Sequence, residues 1–266
     1  MRRRGRGWIG LVLIAPFALV MLAPFLYMVV RSLVDAAGTP RWSDANYRAA
    51  FDALPFPRFL VNSLVLAGGA AVAQVLTSAT AAYAFARLRF PGRDRVFLAF
   101  LAMLIMPAAV LVVPRFLMID AVGWVDSYAG LLSTELVSVW GIFFLRQYFL
   151  TLPRDLEDAA RLDGAGEWTI FWRVMLPLAK PGLVTLGTLA FVNQWKSFLW
   201  PLVATRSLDM RVLEVGLARF HGGGLYWSNE PVQMAAAVMT TLPLLIVFVI
   251  AQRYVIRGMP LGASRS

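Results

Sequence analysis

The chain contains no cysteine and only one histidine, His221. Without cysteine it can form no disulfide, and it offers no thiolate for nucleophilic or metal chemistry. The few carboxylates inside its apolar stretches leave no convincing set of catalytic groups. The sequence therefore predicts no catalytic residue, no metal site and no cofactor.

Charged residues are also scarce, at 15% of the chain, whereas 59% of the residues are hydrophobic and the mean hydropathy is +0.68. Average soluble chains are about 25% charged and 45–50% apolar. Apolar runs long enough to cross roughly 30 Å of hydrocarbon recur along the sequence. The composition thus predicts an all-α protein that crosses a lipid bilayer several times.

The apolar runs predict six transmembrane helices within a single transmembrane domain covering residues 1–266. The first run is longer than the 7–15-residue apolar region typical of a signal peptide, so we expect a retained helix. The predicted spans are Trp8–Val30, Phe59–Phe85, Val96–Val113, Tyr128–Phe149, Leu183–Val203 and Met234–Tyr254.

The basic residues predict the orientation of these spans. Sixteen of the 25 Lys and Arg residues fall on one side and eight on the other, while Lys196 lies within a span. Because positive charge concentrates in cytoplasmic loops, both termini are predicted to be cytoplasmic. The net charge of +10 is therefore explained by membrane orientation rather than by binding to nucleic acid. Residues 150–182 form the largest predicted cytoplasmic loop.

This loop is predicted to fold as two short helices joined by a turn. Pro153 suits a first helical position, and the acidic residues that follow suit the positive end of the helix dipole. Gly164 can adopt the left-handed conformation that ends a helix. The second helix is expected to begin near Glu167 and to end before Pro177.

Four fixed points in this loop form a spaced motif. Asp158-Ala159-Ala160 is followed after three residues by Gly164, and nine residues later by Val174-x-Leu176-Pro177. The pattern resembles the EAA motif of ABC importer permeases, which forms the coupling helix that docks on a separate ATPase subunit. The resemblance assigns docking to Leu156, Asp158, Ala159, Ala160, Asp163, Gly164, Ala165 and Pro177.

The resemblance runs from about residue 8 to the carboxyl terminus, and it is strongest to the smaller permease of maltose-type carbohydrate importers. The segments that carry it include Asn62–Leu64, Ala82–Gly92, Phe198–Pro201 and Gln252–Gly258. The chain departs from the family pattern at three positions. Asp158 replaces the usual Glu, Val174 replaces Ile, and Lys196 stands where related chains often have Asn.

The resemblance implies an assembly of this permease with a second, homologous permease, two ATP-binding subunits and an extracytoplasmic solute-binding protein. It also implies a multi-pass protein in the plasma (inner) membrane of a bacterium or archaeon. The ATPase must lie on a partner, because Gly182–Thr188 has glycine spacing like a phosphate-binding loop but lacks the lysine that reaches the phosphates.

The fifth predicted span contains a run of polar residues, Asn193–Ser197. On a continuous helix, Asn193, Lys196 or Ser197, and Trp200 would share one face. Charge inside a membrane is functional by default, although a lysine near the outer end can also extend to the interface. The candidate translocation path therefore comprises Asn193, Gln194, Lys196, Ser197 and Trp200.

Several interpretations remain open at this stage. Asn193 and Gln194 suit hydrogen bonds between helices as well as contacts to sugar, and Trp200 and Trp227 suit the aromatic belt of a membrane protein. The cargo is a sugar, oligosaccharide or sugar derivative, or else a polyamine, peptide or phosphonate. Lys196 raises the hypothesis of an acidic cargo.

Two different classes of protein are weaker alternatives. A secondary carrier would need repeats or an oligomer to build its path. A membrane-embedded enzyme would need more than Glu135, the lone carboxylate near the outer end of the fourth predicted span.

Overall fold

The computed structural model describes residues 5–34, 43–221 and 229–258, with side chains described except at 5–14, 219–221 and 255–258. Within these ranges the chain is helical and has no β-strand. The predicted belt residue Trp227 and the three glycines that follow His221 lie outside the described residues. The basic residues at 2–4 and Arg265 also lie outside them.

Fourteen α-helices follow one another in the described ranges. They are α1 (Gly5–Ser32), α2 (Ala45–Ala53), α3 (Phe56–Arg87), α4 (Arg93–Ala102), α5 (Val112–Ala121), α6 (Tyr128–Ser133), α7 (Val139–Thr151), α8 (Asp155–Leu162), α9 (Glu167–Ile170), α10 (Leu176–Leu178), α11 (Lys180–Trp195), α12 (Leu199–Ala204), α13 (Leu213–His221) and α14 (Glu230–Gly258). Short 3-10 turns occur at Met103–Ile105, Ala108–Leu111 and Leu208–Met210, and a π turn at Phe171–Met175.

Three of the described helices are long and apolar enough to cross a membrane, and they lie within α1, α3 and α14. Two bent helix pairs also pass when each is taken as one span, which gives up to five. The pairs bend by 94° between residues 105 and 108 and by 76° between residues 178 and 180. The structure therefore shows a multi-pass helical protein, while the count of six spans stays a prediction.

Three predicted spans are not continuous helices. The third breaks at Met106–Pro107, where the backbone is extended as expected before and at a proline. The fifth ends at Trp195 and resumes at Leu199. Pro201 accounts for this break, because its ring would clash with the carbonyl four residues earlier, at Ser197.

The fourth predicted span breaks between Ser133 and Val139 without any proline. Ser138 caps the second segment by accepting a hydrogen bond from the N–H of Gly141 at 3.0 Å. Such a cap satisfies one of the donors that every helix start leaves free. The break therefore has a local signal, although a continuous apolar run conceals it.

The described residues group into two compact units, and the prediction of a single domain stays a prediction. The first unit comprises residues 1–57 and 216–243, with a small core around Ala50 and Val232. Arg31 in α1 forms an ion pair with Glu230 in α14 at 2.9 Å. Asn46 donates to the carbonyls of Ser32 and Val34, which ties the end of α1 to α2.

The second unit comprises residues 58–215 and 244–266 and contains the predicted functional segments. One of its buried clusters joins α3 and α7 to the segment from α9 to α11, around Tyr83, Phe149 and Phe171. A second cluster forms around Leu66, Leu131 and Trp200.

Candidate functional site

The loop at 150–182 folds as the predicted helix–turn–helix, with two corrections to its boundaries. Helix α8 begins at Asp155, so Pro153 lies before the helix and not at its first position. Asp155, Glu157 and Asp158 occupy the first turn, where negative charge favours the helix dipole. The charge pattern of the loop thus predicted α8 correctly. The start predicted from Pro153 was wrong, because the helix begins two residues later.

The turn after α8 is formed by Gly164, as predicted. Its φ angle is +83°, a conformation that glycine adopts without steric cost. The N–H of Gly164 donates to the carbonyl of Arg161 at 3.0 Å, and the N–H of Ala165 donates to that of Ala160 at 2.9 Å. These two bonds form a Schellman motif, which satisfies the last carbonyls of the helix and fixes the direction of the chain beyond it.

The second helical segment begins at Glu167 as predicted but does not end before Pro177. It continues through the π turn at Phe171–Met175 into α10, which holds Pro177 in its first turn. A first turn tolerates a residue without an N–H. The wider π turn before it changes the hydrogen-bond register that a proline would otherwise disrupt.

The predicted docking residues divide between two faces of the loop. Ala160 and Ala165 are half-buried and pack against the buried cluster around Tyr83 and Phe149. The other six are exposed: Leu156, Asp158, Ala159, Asp163, Gly164 and Pro177.

The most exposed apolar side chain of α8 is one that the motif did not indicate. Leu162 is 90% exposed and Leu156 is 44% exposed. With Ala159 between them, they form an apolar stripe on a short, otherwise charged helix. We name Leu156, Ala159 and Leu162 the docking stripe.

The charges of α8 are not all directed outward. Asp158 is exposed and pairs with Arg161 at 2.9 Å. Glu157 is buried, and its Oε1 lies 2.9 Å from Nε of Arg87 at the end of α3. Burial raises the pKa of the Glu157 carboxyl above its usual range, against the opposing effect of Arg87 and Arg161. Sequence reasoning missed this pair.

A helical-wheel projection of the loop would have placed Glu157 beside the half-buried Ala160, three residues on, and thus on the inner face. Nothing in the loop itself indicates Arg87 as the partner. Its only signal is its position at the end of a long apolar run, in the segment Ala82–Gly92.

The polar run of the predicted fifth span does not lie on one helical face. Helix α11 ends at Trp195, and Lys196 is the residue that caps it. Asn193 and Lys196 are exposed, Ser197 is half-buried, and Gln194 is buried. The predicted shared face is therefore wrong, because it required a helix that continues through residue 198.

Trp200 lies inside the chain, with only 3% of its surface exposed. Its indole N–H donates to the carbonyl of Leu131 at 3.1 Å, and the Arg115 guanidinium lies 4.1 Å from the ring centre. A belt residue presents its ring to the lipid interface. The interpretation of Trp200 as a belt residue is therefore wrong, while its place on a translocation path stays a prediction.

Glu135 is not a lone carboxylate. It forms an ion pair with Arg115, whose guanidinium also donates to the hydroxyl of Thr134. The side-chain amide of Gln194 donates to its second oxygen. The two side chains of the pair are only 21% and 15% exposed. This cluster joins α5, the break between α6 and α7, and the end of α11.

The backbone carbonyls of that break accept hydrogen bonds from side chains of α3. Gln74 donates to the carbonyl of Glu135 at 2.8 Å, and Thr77 donates to that of Leu136 at 2.9 Å. Ser78 donates to the carbonyl of Ser138 at 3.4 Å. Irregular backbone at membrane depth is tolerated only where other protein groups or water satisfy it. Helix α3 supplies those groups here.

The fold and the loop together define a multi-pass helical membrane protein that presents a short helix–turn–helix with an exposed apolar stripe. The particular family follows from comparison with known proteins. Residues 74–260 match the family described as "Binding-protein-dependent transport system inner membrane component", and the chain belongs to it.

Relatives within this family support the assignment. The chain is 39% identical over 204 residues to the arabinooligosaccharides transport system permease protein AraQ of Halalkalibacterium halodurans, covering 77% of this chain and 72% of that one. It is 29% identical over 259 residues to the diacetylchitobiose uptake system permease protein NgcG of Streptomyces coelicolor, covering 94% and 86%. It is 34% identical over 208 residues to the sn-glycerol-3-phosphate transport system permease protein UgpE of Yersinia pestis, covering 77% and 73%.

The fold is also that of solved importers. A chain of a bacterial ABC transporter that imports the acidic polysaccharide alginate aligns with a TM-score of 0.82 at 25% identity, over 96% of this chain and 98% of that one. A chain from the alginate transporter in complex with its pentasaccharide-bound periplasmic protein aligns with a TM-score of 0.68 at 16% identity, over 95% of both chains. The second likeness shows the fold alone.

Proposed function

We propose that this protein is the permease subunit of an ATP-driven importer and forms half of the translocation path for a sugar, oligosaccharide or sugar derivative. The observation that carries the proposal is the docking stripe, which presents an exposed Leu162 in the segment that matches the EAA motif. Both termini and the loop at 150–182 would then lie in the cytoplasm.

The docking stripe has the form expected of a surface that inserts into a partner. Exposed leucines are common on proteins, but here two flank an alanine on one short charged helix. Small side chains permit close approach of a partner's backbone, and Gly164 keeps the turn free of side chains. Asp158 and Asp163 border the stripe and would contribute polar contacts at its edge. We expect the stripe to enter a cleft on an ATP-binding subunit.

The remaining partners follow from the family. A binding-protein-dependent system requires an extracytoplasmic solute-binding protein, and a second, homologous permease would complete the path. Two ATP-binding subunits would supply the hydrolysis, so we expect no catalysis by this chain. The sugar class rests on the relatives, which are named for arabino-oligosaccharides and diacetylchitobiose.

An acidic cargo is a second candidate because of Lys196. Its side chain is exposed at the break between α11 and α12, in the segment proposed for the path. Burial raises the pKa of the nearby Glu214 carboxyl, and the charge of Lys196 opposes that shift. A relative named for sn-glycerol-3-phosphate and a solved neighbour that imports the acidic polysaccharide alginate support this second candidate.

The proposal is tested by purifying the tagged chain from its native membrane and identifying the proteins that accompany it. We expect an ATPase, a second permease and a solute-binding protein, and uptake of radiolabelled sugar that requires ATP. A chain that purifies alone and transports without ATP would establish a secondary carrier instead.

Leu162→Arg tests the docking stripe in the same preparation. We expect this variant to reach the membrane but to lose the ATPase on purification, because a charge replaces an apolar contact. Leu208→Arg is the matched control, since Leu208 is an exposed leucine (44%) outside the loop at 150–182. Retention of the ATPase by Leu162→Arg would refute docking through the stripe.

A further inference from the structure

The docking helix α8 is attached to the rest of the protein in an unusual way. Throughout α8, all of which the structure describes, the one buried side chain is the carboxylate of Glu157. A short surface helix normally buries an apolar stripe against its neighbour. In α8 the two leucines are exposed instead, and the inner face carries the Glu157 carboxylate beside the half-buried Ala160.

Arg87, the last residue of α3, forms the ion pair with this carboxylate. Its Nε lies 2.9 Å from Oε1 of Glu157, and both side chains are 2–3% exposed. The same guanidinium donates from its terminal nitrogen to the carbonyls of Phe149 at 2.6 Å and Leu152 at 2.7 Å. Those carbonyls lie at the end of α7, so one guanidinium joins α3, α7 and α8.

A second connection closes the arrangement into a ring. Arg161 lies 3.5 Å from Glu157 and 3.0 Å from Glu167, which begins α9. The hydroxyl of Tyr83 donates to Glu167 at 2.8 Å. Because Tyr83 and Arg87 are four residues apart on α3, they lie on the same face of it. We name Tyr83, Arg87, Glu157, Arg161 and Glu167 the α3 clamp.

Apolar packing does not fill the space between the last turn of α3 and α8. A cavity of about 420 Å³ opens there, lined by Arg87 and Arg89 on one side and by Arg154, Glu157 and Asp158 on the other. At this cavity the last turn of α3 and α8 meet through charged groups, while Ala160 packs against the cluster around Tyr83. The buried cluster below it engages α9 and the π turn through residues such as Ile170 and Phe171.

A buried ion pair is a poor device for stability, because the desolvation of two charges offsets their attraction. Removing one partner is nevertheless costly, since it leaves the other charge buried and unpaired. Such a pair can fix the relation of two elements without adding to the stability of the fold.

We propose that the Arg87–Glu157 ion pair is the connection through which α8 and α3 move together. Displacement of α8 by the ATPase would thereby be passed to α3. The inference rests on the proposed function, because it takes α8 to be the helix that docks. Helix α3 in turn supplies the hydrogen bonds to the break at residues 134–138. The clamp would therefore link the docking helix to the irregular backbone at residues 134–138, where Glu135 accepts a hydrogen bond from Gln194 of the candidate path.

The first test is Glu157→Gln, which keeps the size of the side chain and removes its charge. The wild-type and variant complexes are reconstituted in liposomes, and sugar taken up is measured per ATP hydrolysed. Coupling between distant sites typically changes affinity by about 5–150-fold. We expect uptake per ATP to fall by roughly tenfold while hydrolysis continues. Asp94→Asn, an exposed carboxylate outside the clamp and the loop, should leave the ratio unchanged.

An unchanged ratio in Glu157→Gln would overturn the inference while leaving the proposed function intact. Failure of the wild-type chain to copurify with any ATPase would overturn the proposed function itself. The two failures are therefore distinguishable.

A second measurement leaves the clamp intact and so does not depend on the folding of a variant. Because the chain has no cysteine, spin labels can be placed only at chosen sites. Arg89→Cys and Asp155→Cys put labels on exposed positions beside α3 and on α8. The distance between the labels should stay constant between the nucleotide-free and ATP-bound states of the complex. A change in that distance on ATP binding would refute joint movement of α3 and α8.

Discussion

Replacing Glu135 by glutamine removes the charge that Arg115 pairs with inside the second unit. A fully buried pair loses about 3–5 kcal/mol when one partner is removed, whereas an exposed pair contributes about 0–1 kcal/mol. Here the side chains are 21% and 15% exposed, and Arg115 keeps the hydroxyl of Thr134 and the ring of Trp200. We therefore expect a loss of about 1–2 kcal/mol, between these two limits.

The assay is thermal unfolding of the detergent-solubilised protein, followed by the loss of monodisperse material on gel filtration. A loss of this size corresponds to a melting temperature lower by about 2–8 °C for a chain of roughly this length. Asp120→Asn on α5, an exposed carboxylate, is the matched control and should change it little.

A double-mutant cycle with Arg115→Gln isolates the interaction between the two charges. The double variant should be more stable than the sum of the two single losses predicts, because neither single charge is then left unpaired. Additive losses would show that the two groups do not interact, and the argument from their burial would be wrong.

Gly130→Ala should lower the melting temperature, because the added Cβ would lie 2.2 Å from the carbonyl oxygen of Trp124. Such overpacking costs about 1–3 kcal/mol. An unchanged melting curve would contradict the packing at this turn. Gly164→Glu should abolish transport while the protein still inserts in the membrane, since it adds a bulky charge beside the docking stripe at a φ of +83°. The Cβ added by Gly164→Ala meets no atom within 4 Å, so this variant carries only the backbone strain and should transport better than Gly164→Glu. An equal loss of transport in both variants would exclude the docking explanation. Lys196→Asn should reduce uptake of an anionic cargo and spare a neutral sugar; unchanged anion uptake would remove the case for an acidic cargo.

The sequence predicts those elements of the fold whose signals are local. The apolar runs of α1, α3 and α14 are long and unbroken, and the structure contains helices at all three. The turn at Gly164 was predicted for the same reason, since the residue, the spacing and the preceding helix all lie within one segment. The family resemblance extended this reasoning to the role of the loop.

The breaks within predicted spans depend on other kinds of information. Pro107 and Pro201 are visible in the sequence, and both mark places where the predicted helix stops short. The break before Ser138 has no proline; its local signal is the Ser138 cap, and side chains of α3 satisfy its carbonyls. No pattern within residues 128–149 could show that hydrogen-bond donors for these carbonyls lie on another helix.

The ion pairs were missed for a related reason. Arg87 and Glu157 lie in two different predicted cytoplasmic loops, and Glu135 and Arg115 lie in two different segments of the chain. A single sequence gives no sign of which charges meet. Apolar periodicity indicates which face of a helix is buried, but it does not identify the partner of a buried charge.

The hydrogen bonds from α3 to the break also bear on how the protein is made. If the segment at 128–149 crosses the bilayer as the sequence predicts, bare carbonyls at residues 135, 136 and 138 would be unfavourable in hydrocarbon, because nothing there replaces water. Chains are synthesised from the amino end, so Gln74, Thr77 and Ser78 enter the membrane before the carbonyls that need them. The order of the helices along the chain thus places each donor ahead of its acceptor during synthesis.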